Sequence, residues 1–264
     1  MYHKFHWTKV AQRRNWILKE YEPIQPFYLL ELATAVGAKC FLDVGANIGF
    51  YSVIMSQQVS LVLTYEANSM LLNEIKKNFD LNSVSSVIRP VAVSNKSGTV
   101  SFGVVSRYAG DSGVISTQHG NKKYSSTVSV DSVRLDDELK EIDGPIVLKV
   151  DVEGHELAVL QGAKSILMNK SCIIQIENYN DVVNNFLLDL GYLKLTDIGP
   201  DSYFTNIRDI DPLQCYEKAI KNLIQSNHDN KSMVFGRGGL RFIVSGKLYQ
   251  VIRWLASKLY GRRL

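Results

Sequence analysis

Short apolar runs separated by helical stretches dominate the middle of the chain, and this alternation limits what it can fold into. Runs at residues 40–44, 61–65, 87–93, 146–150 and 173–176 are nearly continuous in Val, Ile, Leu and Phe. Helical patterns follow at 50–56, 69–80, 156–168 and 181–190, the last closed by Gly191. Strands that read as unbroken apolar runs are buried on both faces, which is the property of a parallel sheet covered by helices. The ending differs. Residues 192–195 and 203–207 have no long helix between them, and the pattern predicts an antiparallel terminal hairpin.

Composition supports a globular chain. Of 264 residues, 45% are hydrophobic and 21% charged, which disfavours disorder and coiled coil. No apolar run approaches the ~20 residues that span a bilayer, and the first twenty residues lack the apolar core of a secretory signal. Cys40, Cys172 and Cys215 are few, odd in number and far apart, so neither a disulfide framework nor a zinc site is expected. These features predict a cytoplasmic protein.

The expected organisation is an N-terminal basic, helical extension at 1–25, a catalytic domain at 26–210 and a helical basic appendage at 211–264. Residues 106–126 interrupt the rhythm with a Ser- and Gly-rich loop between strand-like pieces at 99–105 and 127–133. Long loops of this kind are commonly substrate-binding.

Asp43-Val-Gly45-Ala-Asn47-Ile-Gly49 follows the first strand and opens a helix. Such loops lie at the carboxyl ends of strands, where α/β sheets bind ligands. A dinucleotide fingerprint wants glycine at 45, 47 and 50, and here 47 is Asn and 50 is Phe. A nucleoside without a pyrophosphate therefore fits better than NAD. Glu66 ends the second strand 21 residues after Gly45, where a carboxylate can accept from both hydroxyls of a ribose.

These blocks resemble the FkbM family of S-adenosylmethionine-dependent methyltransferases. The resemblance continues through Tyr65-Glu-Ala-Asn68, Val91-Ala-Val-Ser-Asn95, Arg134-Leu-Asp-Asp137, Leu148-Lys-Val-Asp-Val-Glu-Gly-His-Glu156 and Leu160-Gln-Gly-Ala163, and covers roughly 26–207. It implies a Rossmann-like class I methyltransferase fold, with a mostly parallel seven-stranded sheet, helices on both faces and an antiparallel C-terminal hairpin. It also implies S-adenosyl-L-methionine as cofactor. Asp43, Gly45, Asn47 and Gly49 would surround its methionine end and ribose, Glu66 would hold the diol, and Ala92 and Val93 would flank the adenine. Ala67 stands where the family often has Pro, a departure that touches turn geometry.

The acceptor side is expected around Asp151, Glu153 and His155, after the fourth strand. A sulfonium donor is already electrophilic, so alignment and removal of a hydroxyl proton are the main tasks. Asp151 is the first candidate base. His155, at a helix start, is the second candidate base, expected to be neutral through the helix dipole and so able to accept a proton. Glu156 reads as helix-favouring and the Asp136-Asp137 pair as a cap. A metal-free site is the preferred reading, with Asp151, Glu153 and Glu177 as alternative oxygen ligands for Mg²⁺. Arg107, Tyr108, Asp111 and His119 of the long loop offer hydrogen bonds and a stacking ring to a sugar. The expected reaction is O-methylation of a hydroxyl on a glycan, glycolipid or small natural product. The alternatives are an NAD-dependent oxidoreductase and a nucleic-acid binder using the basic tail.

That tail carries eight basic residues and no acid from Lys231 onward, which leaves net −4 on the first 230 residues of a chain of net +4. Val244, Leu248, Val251, Ile252, Leu255 and Leu259 form one apolar stripe of a helix flanked by Lys and Arg. Such a stripe suits packing on the domain or on a second copy of the chain. Peripheral membrane contact through 240–264 is the other reading.

Overall fold

The computed structural model describes residues 5–8, 22, 24–105, 112–115, 124–139, 142–177 and 181–226, with side chains described as far as 222. In chain order the elements are α1 (Gln25–Ala35), β1 (Cys40–Val44), α2 (Phe50–Met55), β2 (Leu61–Tyr65), α3 (Ser69–Asn82), β3 (Val87–Arg89), β4 (Ala92–Val93), β5 (Gly98–Val104), β6 (Gly113–Val114) and β7 (Ser126–Val133). There follow α4 (Leu135–Glu138), β8 (Ile146–Val150), α5 (Glu156–Gly162), α6 (Lys164–Asn169), β9 (Cys172–Glu177), α7 (Asp181–Asp189), β10 (Leu193–Ile198), β11 (Asp201–Thr205) and α8 (Pro212–Ser226).

Seven strands form the main sheet in the order β10-β11-β9-β8-β1-β2-β3. β1, β2, β3, β8 and β9 run parallel, while β11 is antiparallel to β9 and to β10. The chain order reverses between β1 and β8, which opens a crevice at their carboxyl ends.

Period-two alternation divides the sheet's side chains between two cores. Cys40, Leu42, Val44, Leu148, Val150, Ile174 and Ile176 face Val159 and Leu160 of α5, Leu167 of α6 and Leu187 of α7. Phe41, Val62, Val147, Ile173 and Tyr203 face α1, α2 and α8. Burying each large apolar side chain contributes about 1.5–3 kcal/mol, and both faces are filled this way. Cys215, Ala219 and Ile220 of α8 lie in the second core beside α1, and Tyr216 meets Tyr28 at a centroid distance of 5.6 Å. The first part of the expected appendage thus packs on the sheet's cover, while the basic tail with its apolar stripe lies outside the described residues.

Two expected elements are corrected. The third apolar run splits: β3 ends before Pro90, which has no N–H to continue the ladder with β2, and β4 pairs with β7 instead. It thereby joins a second sheet, β4-β7-β5-β6. The helix expected over 156–168 breaks at Ala163 into α5 and α6. There α5 presses on the strand side of the domain: a Cβ on Gly162 would stand 2.0 Å from the Ser94 carbonyl oxygen. Asp136 caps α6 rather than its own helix, accepting from the backbone N–H groups of Ser165 and Ile166 at 3.1 and 3.0 Å.

Gly162→Ala is expected to lower stability by ~1–3 kcal/mol through this overpacking, read as a lower urea midpoint at unchanged slope. An unchanged midpoint would show that the Ser94–Gly162 approach is not required.

Candidate active site

The glycine loop takes its shape from three left-handed residues, Gly45 (φ 78°), Asn47 (φ 54°) and Gly49 (φ 76°). Asparagine tolerates this conformation better than other side-chain-bearing residues, so Asn47 meets the backbone need that glycine meets in the dinucleotide fingerprint. At Gly45 the constraint is internal. A Cβ there would come within 1.8 Å of the Asp151 carbonyl oxygen, so the protein's own backbone already excludes a side chain. Gly49 caps α2 and packs on Phe79 of α3, away from the cleft.

Glu66 clamps this loop. Its Oε2 accepts from the Asn47 N–H at 2.8 Å and its Oε1 from the Asn68 N–H at 2.7 Å. Burial pushes the carboxyl up to about 7, against the pull of those two N–H groups.

The loop and Glu66 line an open cleft at the carboxyl rim of β1, β2 and β8. Tyr65, Ala67, Leu71, Val91, Ala92 and Val93 line it together with Asp151, Val152 and Glu153. The second sheet roofs it through Phe102, Ser112, Gly113 and Val114. Close contact seats that roof, since a Cβ on Gly113 would meet Glu153 Cβ and the Val152 carbonyl at 3.2 Å.

Other expected site residues stand behind the cleft. Asp43 is fully buried, its Oδ2 accepting from the Ser52 N–H and hydroxyl at 3.0 and 2.6 Å. His155 caps α5, outside the lining residues, with Nε2 2.9 Å from Ser94 Oγ. Burial lowers its pKa and so favours a neutral ring. Glu156 folds back to accept from the N–H groups of Val152 and Gly154 at 3.3 and 2.8 Å, which fixes the turn carrying Asp151 and Glu153. Asp151, Glu153 and Glu177 do converge, with one oxygen of each within 4.8 Å of the others. Arg107, Tyr108, Asp111 and His119 lie outside the described residues.

Sequence reading missed a polar row across the second face of the sheet. The register aligns Thr64, Asp43, Lys149, Gln175 and Tyr203 on adjacent strands. Lys149 Nζ donates to Gly45 O at 3.3 Å and Asp151 Oδ2 at 3.2 Å, lies 3.9 Å from Asp43 Oδ1, and sits 5.0 Å over the Tyr51 ring. Burial acts to neutralise it, but Asp151 and Asp43 outweigh burial and hold its pKa above the ordinary lysine value. Tyr51 is itself held, its hydroxyl donating to Glu22 at 2.5 Å and accepting from Gln175 at 2.8 Å. The available signal was a Lys or Gln set inside an otherwise apolar strand.

The family follows from comparison with known proteins. The family described as "Methyltransferase FkbM domain" matches residues 43–194, more than half of the chain. The chain belongs to the FkbM methyltransferase family. The match runs from the glycine loop to β10, and so takes in Glu66, the roofing sheet and the Asp151 turn. Among curated proteins, hexuronic acid methyltransferase AglP of Haloferax volcanii is 30% identical, over 60% of this chain and 64% of its own. This chain therefore spans just under two thirds of that relative. Methyltransferase sdnD of Sordaria araneosa is 26% identical, over 54% of this chain and 67% of its own. Among solved structures, an FkbM methyltransferase from Methylobacillus flagellatus is 16% identical with a TM-score of 0.45, over 63% of this chain and 43% of its own. No described helix is long and apolar enough to cross a membrane.

The raised pKa of Glu66 has a stability consequence. A carboxyl whose pKa climbs from 4.5 to about 7 on folding favours the folded state fully below pH 4.5. That contribution fades as pH rises through 7. Ligand-free protein should therefore lose up to about 3 kcal/mol relative to Glu66→Gln between pH 4.5 and 7.5. Melting curves of both proteins across that range check it, and a constant difference would refute it.

Proposed function

We propose that this protein transfers the methyl group of S-adenosylmethionine to a hydroxyl of a sugar or small natural product, with Asp151 as the base. One observation carries the reading: a single cleft is lined both by a buried carboxylate, Glu66, suited to a ribose diol, and by the Asp151 carboxylate. The lining residues fit the cofactor. Three are acids, Glu66, Asp151 and Glu153, and among the described ones none is Lys, Arg or His. That electrostatic setting suits a nucleoside bearing a cationic sulfonium and opposes the pyrophosphate of NAD.

When bound, S-adenosylmethionine supplies an electrophilic methyl group. Each Glu66 oxygen spends one lone pair on a backbone N–H and keeps another for a ribose hydroxyl. Ala92 and Val93 offer an apolar wall for the adenine, and the roof of Phe102 and Val114 excludes water from it. Gly45 lets the loop lie against the Asp151 backbone at the end of β8, and Glu66 fixes Asn47. The Asp151 carboxylate would take the proton of an incoming hydroxyl, whose oxygen lone pair would form the C–O bond to the methyl carbon as the C–S bond breaks, its electron pair going to sulfur and S-adenosylhomocysteine leaving. Glu153 and Glu177 beside it suit further hydroxyls of a polyol as hydrogen-bond acceptors. The same three acids disfavour an anionic group at the reacting position, which supports a hydroxyl over a carboxylate. AglP acts on a hexuronic acid, so a sugar acceptor is consistent with kinship.

Two outcomes test the residue roles. Glu66→Ala should weaken S-adenosylhomocysteine by ~10–150-fold in calorimetry, the equivalent of 1.5–3 kcal/mol for hydrogen bonds to a charged group. Unchanged affinity would remove Glu66 from the cofactor site. Asp151→Asn should lower turnover by ~10²–10⁴ while leaving that affinity within a few-fold. Methyl transfer from labelled cofactor into neutral sugars, uronic acids and hydroxylated small molecules supplies the assay, and label entering only carboxylates would overturn the hydroxyl reading.

A further inference from the structure

We infer that Lys149 is a positioning residue that sets the glycine loop and the Asp151 carboxylate in one fixed relation, so that one ammonium aligns the donor and acceptor ends of the cleft. The inference rests on the methyltransferase reading of that cleft.

The bland role for a lysine here is to neutralise Asp43, which is fully buried in the adjacent strand. The distances argue otherwise. Nζ lies 3.9 Å from Asp43 Oδ1, and that oxygen has no hydrogen-bond partner. The shorter contacts, 3.3 and 3.2 Å, go to the Gly45 carbonyl and to Asp151 Oδ2. Both of those residues line the cleft, and Lys149 does not. An ammonium has three donors, and two of them are directed at the cleft's own scaffold.

Its freedom is also removed from below. The side chain rests on the Tyr51 ring, whose hydroxyl is fixed between Glu22 and Gln175. The point charge therefore sits at a set place relative to β1, β8 and α2. On the loop side it holds the Gly45 carbonyl. On the acceptor side it fixes which way the Asp151 carboxylate points. Charge-assisted hydrogen bonds of this kind are the stronger ones, and geometry at a reacting centre tolerates little drift.

Binding alone tests this, with two cofactor analogues. S-adenosylhomocysteine lacks the transferable methyl, and sinefungin carries an ammonium in its place. In the parent protein Asp151 should favour sinefungin. In Lys149→Met, S-adenosylhomocysteine should weaken about tenfold through the loop, a change of 1.4 kcal/mol. Sinefungin should weaken further, so that its preference disappears as it does in Asp151→Asn. Adding Lys149→Met to Asp151→Asn should leave the ratio of the two affinities unchanged. A lysine that only neutralises charge predicts the opposite, since its removal frees Asp151 to attract the ammonium and the preference grows.

The inference is overturned by a preserved or enlarged sinefungin preference, by S-adenosylhomocysteine affinity within twofold of the parent, or by a parent with no preference. If the parent binds neither compound, the methyltransferase reading itself fails. Should Lys149→Met not fold, Lys149→Met with Asp43→Asn removes the uncompensated acid, and its affinities are compared with those of Asp43→Asn alone under the same criteria.

Discussion

An ammonium taken out of water must find compensating charge, and in this sheet that requirement joins two strands and a helix. Lys149 is 4% exposed and is held between Asp43, Asp151, the Gly45 carbonyl and the Tyr51 ring. Removing one partner of such a buried set leaves another charge uncompensated, which typically costs 3–5 kcal/mol. The carboxyl ends of β1 and β8 are thus bound to each other by more than their ladder. The crevice between them is the place where the crossing order of the chain reverses, so the constraint acts where a ligand would lie.

The glycine loop depends on the same junction. It turns on three left-handed residues and passes so near the Asp151 backbone that Gly45 admits no side chain. Glu66 then ties Asn47 to Asn68, connecting the loop to the start of α3. Each bond satisfies a backbone donor that a bare turn would leave to water. The cost is a carboxyl desolvated enough to titrate near neutrality. Such shifts gather where charge is placed for function rather than for stability.

The second sheet adds what the main sheet lacks. β4 leaves the main sheet at Pro90, pairs with β7, and so brings β5 and β6 over the cleft. Phe102 and Val114 of this roof are buried against Ala92 and Ala67 in an apolar contact over the cleft. The turn bearing Asp151 and Glu153 is set by Glu156, whose carboxylate accepts two of its backbone N–H groups. The cleft is thus apolar where the second sheet meets Ala92 and Ala67, and acidic at Glu66, Asp151 and Glu153.

What the sequence determined by itself is the part written in period and spacing. Continuous apolar runs require a covered parallel sheet, a glycine loop after the first run marks the ligand end, and Glu66 at the end of the second run is legible from its distance to Gly45. The shared blocks from Asp43 to Ala163 were enough to suggest the family. Tertiary structure decided the rest because side-chain period reveals a face but not a neighbour. Lys149 and Gln175 interrupt apolar strands, yet only the register of β1, β8 and β9 brings Lys149 beside Asp43 and under Asp151. Likewise His155 and Asp43 carry suitable chemistry, and only packing placed them behind the cleft, where burial and Ser94 or Ser52 claim them. Gly45 is visible as part of a tight turn, and only the fold shows the Asp151 backbone lying across it. Pro90 was visible from the start, but its effect depends on β7 waiting beside β4 to take up the strand that β2 cannot keep.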